Sequence, residues 1–172
     1  MADRDPKLSK RRNRPTADDD FAAWICDQVA ALKEGRFDEL DIEDLADEVE
    51  SLSKRDFKAL VSAIRIILLH MLKWDYQIEQ RGNPWRASIN EHRNRVWGEL
   101  ASSPSFRRRI DEAITTAYAR ARLAAHAETG VFLDNFPSEC PYDWDEIMQR
   151  SHELGPDNVP VDEGDPFQGG VD

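Results

Sequence analysis

An all-α fold, an antiparallel bundle of about five to six helices, follows from three observations. Apolar residues recur at steps of three and four through most of the chain. Capping signals and glycines separate those periodic stretches, and no window shows the sustained alternation of a strand. The chain has 172 residues, 40% of them hydrophobic, enough for one core that needs no disulfide or metal staple. The predicted organisation is a disordered basic arm over residues 1–17, a helical domain over 18–152 and a disordered acidic tail over 153–172.

The first helix starts at Asp18, Asp19 or Asp20, carries Phe21, Ile25, Val29 and Leu32 on one face with Trp24 beside them, and stops at Gly35. Asp41 opens the second, whose stripe is Ile42, Leu45, Val49 and Leu52. Ser53 with Asp56 resembles a capping box, so the reading leans to a break near 51–53. The stripe nevertheless runs on through Leu60, Ile64, Ile67, Met71 and Trp74, and one kinked helix over 42–77 is the alternative. From Ile64 to Leu72 the helix is apolar nearly all round, which places it in the middle of the bundle or against a second copy of the chain. Asn83-Pro84 and Ser103-Pro104 start two further helices, the second ending at Gly130. Residues 131–142 form a loop whose Val131, Phe132, Leu133 and Phe136 are too apolar to be solvated. Asp143 with Glu146 caps one short last helix.

The net charge is −11, unevenly spread. Residues 34–56 hold ten acidic against three basic residues, 73–122 ten basic against six acidic, and 123–172 one basic against twelve acidic. An acidic chain repels phosphate, so nucleic-acid binding is disfavoured and would be weak and salt-sensitive. Cys26 and Cys140 stand alone, outside any CxxC pair, which reads as free thiols in a reducing compartment. The longest apolar run, Ile66-Ile67-Leu68-Leu69, is far too short for a membrane span, and the N-terminus lacks the apolar core of a secretory signal. A cytoplasmic location is the default.

Catalytic motifs are absent. There is no HExxH, no Glu-x-x-His, no GxSxG and no glycine-rich phosphate loop. The densest cluster is His70, Lys73 and Trp74, one turn apart, with Trp85 and Arg86 returning on the next helix. These five residues are the candidates for a ligand pocket. His70, His92 and His126, one per helix, are weak metal-ligand candidates, although the plainer expectation for His70 is a buried core histidine with a hydrogen-bond partner. His152 is expected to be solvated near the tail. Arg93, Arg95 and Arg107–Arg109 read as solvated helix surface.

Several stretches together resemble a bacterial family known as domain of unknown function twenty-nine. They are Phe37-Asp38-Glu39-Leu40-Asp41, Leu68-Leu69-His70-Met71-Leu72-Lys73-Trp74, Trp85-Arg86-Ala87-Ser88-Ile89, Ala127-Glu128-Thr129-Gly130 and Phe136-Pro137-Ser138-Glu139-Cys140-Pro141-Tyr142. The likeness spans about residues 20–150 and implies an all-helical fold with no assigned activity. The expected function is a non-catalytic interaction or regulatory module with a protein partner and no cofactor. A homo-oligomer through residues 64–72 stays open. The alternatives are a small-molecule or metal-binding enzyme using His70, Trp74, Trp85 and Arg86, and a weak nucleic-acid-associated protein.

Overall fold

A computed structural model describes residues 15–154. Among them are five α-helices and four short 3-10 turns, and no β-strand. The helices are α1 (Phe21–Glu34), α2 (Ile42–Tyr76), α3 (Asn83–Ser102), α4 (Ile110–Thr129) and α5 (Trp144–Gln149). The all-α fold expected from the periodicity is the one that forms. The basic arm and acidic tail lie outside the described residues, apart from 15–17 and 153–154. The chain divides into two compact units, one ending at Ser53 and one beginning at Lys54.

In the first unit, Asp20 caps α1, its carboxylate accepting from the Ala23 N–H at 3.0 Å. Gly35 ends the helix at φ 71°, a left-handed turn that a side chain would strain. The buried Gln28 accepts from the Asp41 N–H at 2.8 Å, so a side chain of α1 holds the residue that precedes α2. Trp24, Ala31 and Leu40 are buried with it.

Helix α2 is continuous for 35 residues, and the break expected near 51–53 does not occur. The segment contains neither Gly nor Pro, and the Ser51 hydroxyl donates back to the Glu48 carbonyl at 2.9 Å. A serine bonded to its own preceding turn sits inside a helix rather than capping a new one. The boundary between the two compact units falls at Ser53, where the sequence carries its capping signal.

The second unit has one core. It draws Leu60, Ile64, Ile67, Leu68, Met71 and Leu72 from α2, Ile89, Val96 and Leu100 from α3, and Ala113, Ala117, Ala121 and Ala125 from α4. Ile147 and Met148 of α5 join them. The segment 64–72 is thus the middle of the bundle. Its large apolar side chains other than Ile66 are buried within the chain. Helix α3 is capped by Gly82, one residue earlier than expected, and Asn83 instead accepts from Arg86 at 2.7 Å. Ser103-Pro104 leads first into a 3-10 turn over Pro104–Arg109 and only then into α4. Phe106 in this turn is buried edge-on to Phe57 with ring centroids 5.4 Å apart. Arg109 covers the same Phe57 ring at 3.6 Å and grips Glu112 through two bonds of 2.7 Å.

Polar residues of α4 hold the following loop. Tyr118, Arg122 and His126 stand one turn apart and meet successive loop carbonyls. Tyr118 donates to Pro137 at 2.7 Å, and Arg122 to Leu133 at 2.9 Å and Phe136 at 3.2 Å. His126 Nδ1 lies 2.7 Å from the Val131 oxygen, and since a carbonyl only accepts, that nitrogen carries the proton. The loop buries Phe136 but leaves Phe132 75% exposed, against expectation. The 3-10 turn over Leu133–Asn135 separates the two rings and sends only one inward. At α5 the expected capping box is complete: Asp143 accepts from the Glu146 N–H at 2.8 Å, and Glu146 accepts from the Asp143 N–H at 2.9 Å. Replacing Asp143 by Ala is expected to lower stability by about 1 kcal/mol and Asp143→Asn by much less, measured by urea denaturation. Equal losses in the two variants would show that the cap is not the cause.

Candidate functional site

The structure divides the five sequence candidates. His70 is mostly but not fully buried, and its enclosed Nδ1 lacks the hydrogen-bond partner expected of a core histidine. Burial lowers its basicity most, Lys73 and His92 add to that, and Glu128 opposes them. Lys73 reaches from α2 to Glu128 on α4 at 2.9 Å and lies 4.9 Å from the centre of the Trp85 ring. One ammonium thus ties together α2, α3 and α4, part ion pair and part cation–π contact. Arg86 is exposed and turned to Asn83, and Trp74 is fully buried elsewhere, so neither joins this group. Glu128 completes it and escaped sequence reasoning. Its partner lies 55 positions away, and no local spacing announces the pair.

Trp74 belongs to a second, more deeply buried group. Its ring meets His152 edge-on at 5.1 Å, and the Arg81 guanidinium lies 5.5 Å from its centre. Arg81 Nε also donates to the Trp74 carbonyl at 2.7 Å. The adjacent Asp75, its side chain 1% exposed, accepts two bonds from Arg150, at 2.7 and 2.9 Å, and one from the Tyr142 hydroxyl at 2.7 Å. Burial, and then Asp75, raise the Tyr142 phenol well above its ordinary value, so it stays a donor. Arg93, expected as solvated surface, donates to the Ile147 and Glu146 carbonyls at 2.7 and 3.2 Å and so caps the C-terminal end of α5. His152, expected to be solvated, is 4% exposed. Burial, Arg150 and Arg93 hold its basicity down to about 4. These contacts fasten residues 142–152 to the end of α2. Within this group the buried Trp74 Nε1 and His152 Nε2 have no hydrogen-bond partner.

The first unit has the opposite character. Phe37, Ile42 and Val49 are 67%, 64% and 65% exposed, and Phe21, Leu32 and Leu52 are about half exposed. Of the stripe Ile42, Leu45, Val49 and Leu52, Leu45 is partly buried and the other three are open. Between residues 15 and 53 the chain carries thirteen carboxylates and only two cations, Lys33 and Arg36. The carboxylates crowd one another: Asp41 first, then burial, Asp18 and Glu43 raise the Asp44 carboxyl above the usual range. A cavity of about 220 Å³ lies in this unit, walled by Thr16, Trp24, Gln28 and Asp41 among others.

Residues 17–152 match the family described as domain of unknown function DUF29, which covers both groups of α2 and the exposed stripe. The chain belongs to the DUF29 family. No curated protein and no solved structure matches it.

Within this DUF29 chain the histidines named as metal candidates go separate ways. His92 Nδ1 meets the Ser88 carbonyl at 2.9 Å, and His126 meets Val131 as described. Among the described residues, no three or more His, Cys, Asp or Glu side chains are grouped so as to hold a metal ion. Burial pushes the Cys140 thiol up to about 11, which leaves it protonated and a poor nucleophile at neutral pH. No helix among the described residues is long and apolar enough to cross a membrane.

Proposed function

We propose that this DUF29 chain is a non-catalytic protein-docking module whose contact surface is the apolar stripe of its first unit. The observation that carries the reading is the exposure of Phe37, Ile42 and Val49, each about two-thirds open. Large apolar side chains left in water forgo roughly 25 cal/mol for every Å² that a partner would cover, and an apolar set rimmed by charge is the common form of an interaction surface. The second unit supports the same division of labour. There Lys73, Asp75, Arg93, Arg122 and Arg150 bond to other parts of the same unit, as a scaffold requires. Phosphate is a poor candidate for the partner, because the carboxylates of residues 15–53 repel it. A photo-crosslinking residue placed at Phe37, Val49 or Leu52 in the native host should capture one and the same protein, identified by mass spectrometry. The same probe at the exposed Arg120 of the second unit should not. Equal capture at both places, or none at either, would overturn the proposal.

A second reading, a small-molecule site at His70, Lys73 and Trp85, is favoured by the enclosed Nδ1 of His70. A ligand bound there would perturb Trp85 and be lost on His70→Ala, which differential scanning of the wild type and variant against a metabolite panel would detect.

A further inference from the structure

The geometry points to the cavity of the first unit as a binding site for a small uncharged carboxamide. Its volume of about 220 Å³ suits a fragment-sized molecule, below the roughly 300–1,000 Å³ of sites for larger ligands. Trp24 and Gln28, one turn apart on α1, stand in its wall and are 2% and 4% exposed. The Trp24 Nε1 is enclosed and has no hydrogen-bond partner. An indole nitrogen only donates, so what it lacks is an acceptor. The Gln28 carboxamide oxygen is taken by the Asp41 N–H at 2.8 Å, which fixes the orientation of the amide and leaves Nε2 to donate. One carbonyl oxygen has lone pairs for both N–H groups. Buried donors of this kind are ordinarily satisfied, and an acceptor brought by a ligand would recover what their burial costs.

The rest of the wall sets the charge of the ligand. Glu39 and Asp41 line the cavity with acceptor oxygens, which disfavour a carboxylate or phosphate. Arg36 pairs with Glu39, so the wall does not call for a cation. The N–H groups of a carboxamide suit those acceptors, and Leu40 and the Trp24 ring receive its apolar part. The site is separate from the docking stripe, since none of Phe37, Ile42, Val49 and Leu52 lines it.

The test uses the isotope-labelled full chain in two-dimensional NMR and three probes of one shape: benzamide, benzoate and benzylamine. The indole N–H cross-peak of Trp24 is the one missing from the spectrum of Trp24→Phe. Benzamide should move that peak downfield to saturation, with a dissociation constant on the order of millimolar, as expected of so small a ligand. Benzoate and benzylamine should bind at least about fivefold more weakly. Thr16→Phe, at an exposed position of the wall, narrows the cavity and should weaken benzamide about tenfold or more. Gln28→Glu keeps an oxygen for the Asp41 N–H but removes the Nε2 donor, and should weaken benzamide at least about fivefold. Circular dichroism checks both variants for unchanged helix content, and Thr16→Phe decides alone if Gln28→Glu does not fold. A Trp24 peak that benzamide leaves in place, or moves equally in Thr16→Phe, would overturn the site. Benzoate or benzylamine binding as tightly as benzamide would overturn the uncharged ligand. Binding undiminished in a folded Gln28→Glu would overturn the shared carbonyl acceptor.

Discussion

Replacing Asp75 by Ala is expected to cost about 3–5 kcal/mol, because it leaves the Arg150 guanidinium and the Tyr142 hydroxyl without their shared buried acceptor. The geometry sets the size. The carboxylate is 1% exposed and takes three bonds of 2.7 to 2.9 Å, while Arg150 is 17% exposed. Water therefore cannot readily replace what is removed. The melting temperature should drop by about 10 °C. Asp75→Ala combined with Arg150→Ala removes both charges and should be less damaging than the sum of the two single changes, the signature of a coupled pair. Tyr142→Phe, which deletes one neutral donor, should cost only about 1 kcal/mol. Urea midpoints for the four variants measure all of this. A loss below about 1 kcal/mol for Asp75→Ala would show that the clasp between the end of α2 and Arg150 carries no net stability.

Acidification is expected to destabilise the chain through His152 in a defined window. Its folded-state value is held to about 4, below the ordinary 6.5, by burial first and then by the charges of Arg150 and Arg93, with Asp75 and a backbone hydrogen bond at Arg150 opposing. The folded form therefore keeps the imidazole neutral where the unfolded chain would protonate it. Its contribution is fully present above about pH 6.5 and is lost progressively as the pH falls toward 4. The depression is worth about 3 kcal/mol. His152→Phe keeps a ring beside Trp74 and has no proton to take up. The urea midpoint of the wild type should fall more steeply between pH 7 and pH 4.5 than that of the variant, by an amount corresponding to about 2 kcal/mol or more. His70, whose basicity is also lowered, is present in both proteins, so the difference isolates His152. Parallel pH profiles would refute the assignment.

Local physics made the helices legible. Asp20, Gly35, Pro84, Gly130 and the Asp143–Glu146 box act on the turns where they sit, and all can be read from neighbours a few positions away. The apolar girdle of Ile64–Leu72 announced the centre of the bundle for the same reason. Where local cues competed the reading failed. Ser53 with Asp56 suggests a cap, yet a segment free of Gly and Pro continues as helix, and Ser51 bonds within it.

Tertiary structure alone decided which polar residues matter. Lys73 stands out in the sequence, but only folding brings it Glu128 and Trp85. His152 looks solvated until Trp74 meets it, and nothing near Arg150 in the sequence announces its pair with Asp75. Arg93, one of many arginines, is singled out by the two α5 carbonyls it reaches. The period of Ile42, Val49 and Leu52 determined that they share a helix face. Whether that face is covered is set by what packs on it, and periodicity is the same for a buried stripe and an open one. Charge pairs and buried faces depend on residues distant in sequence, which no window along the chain contains.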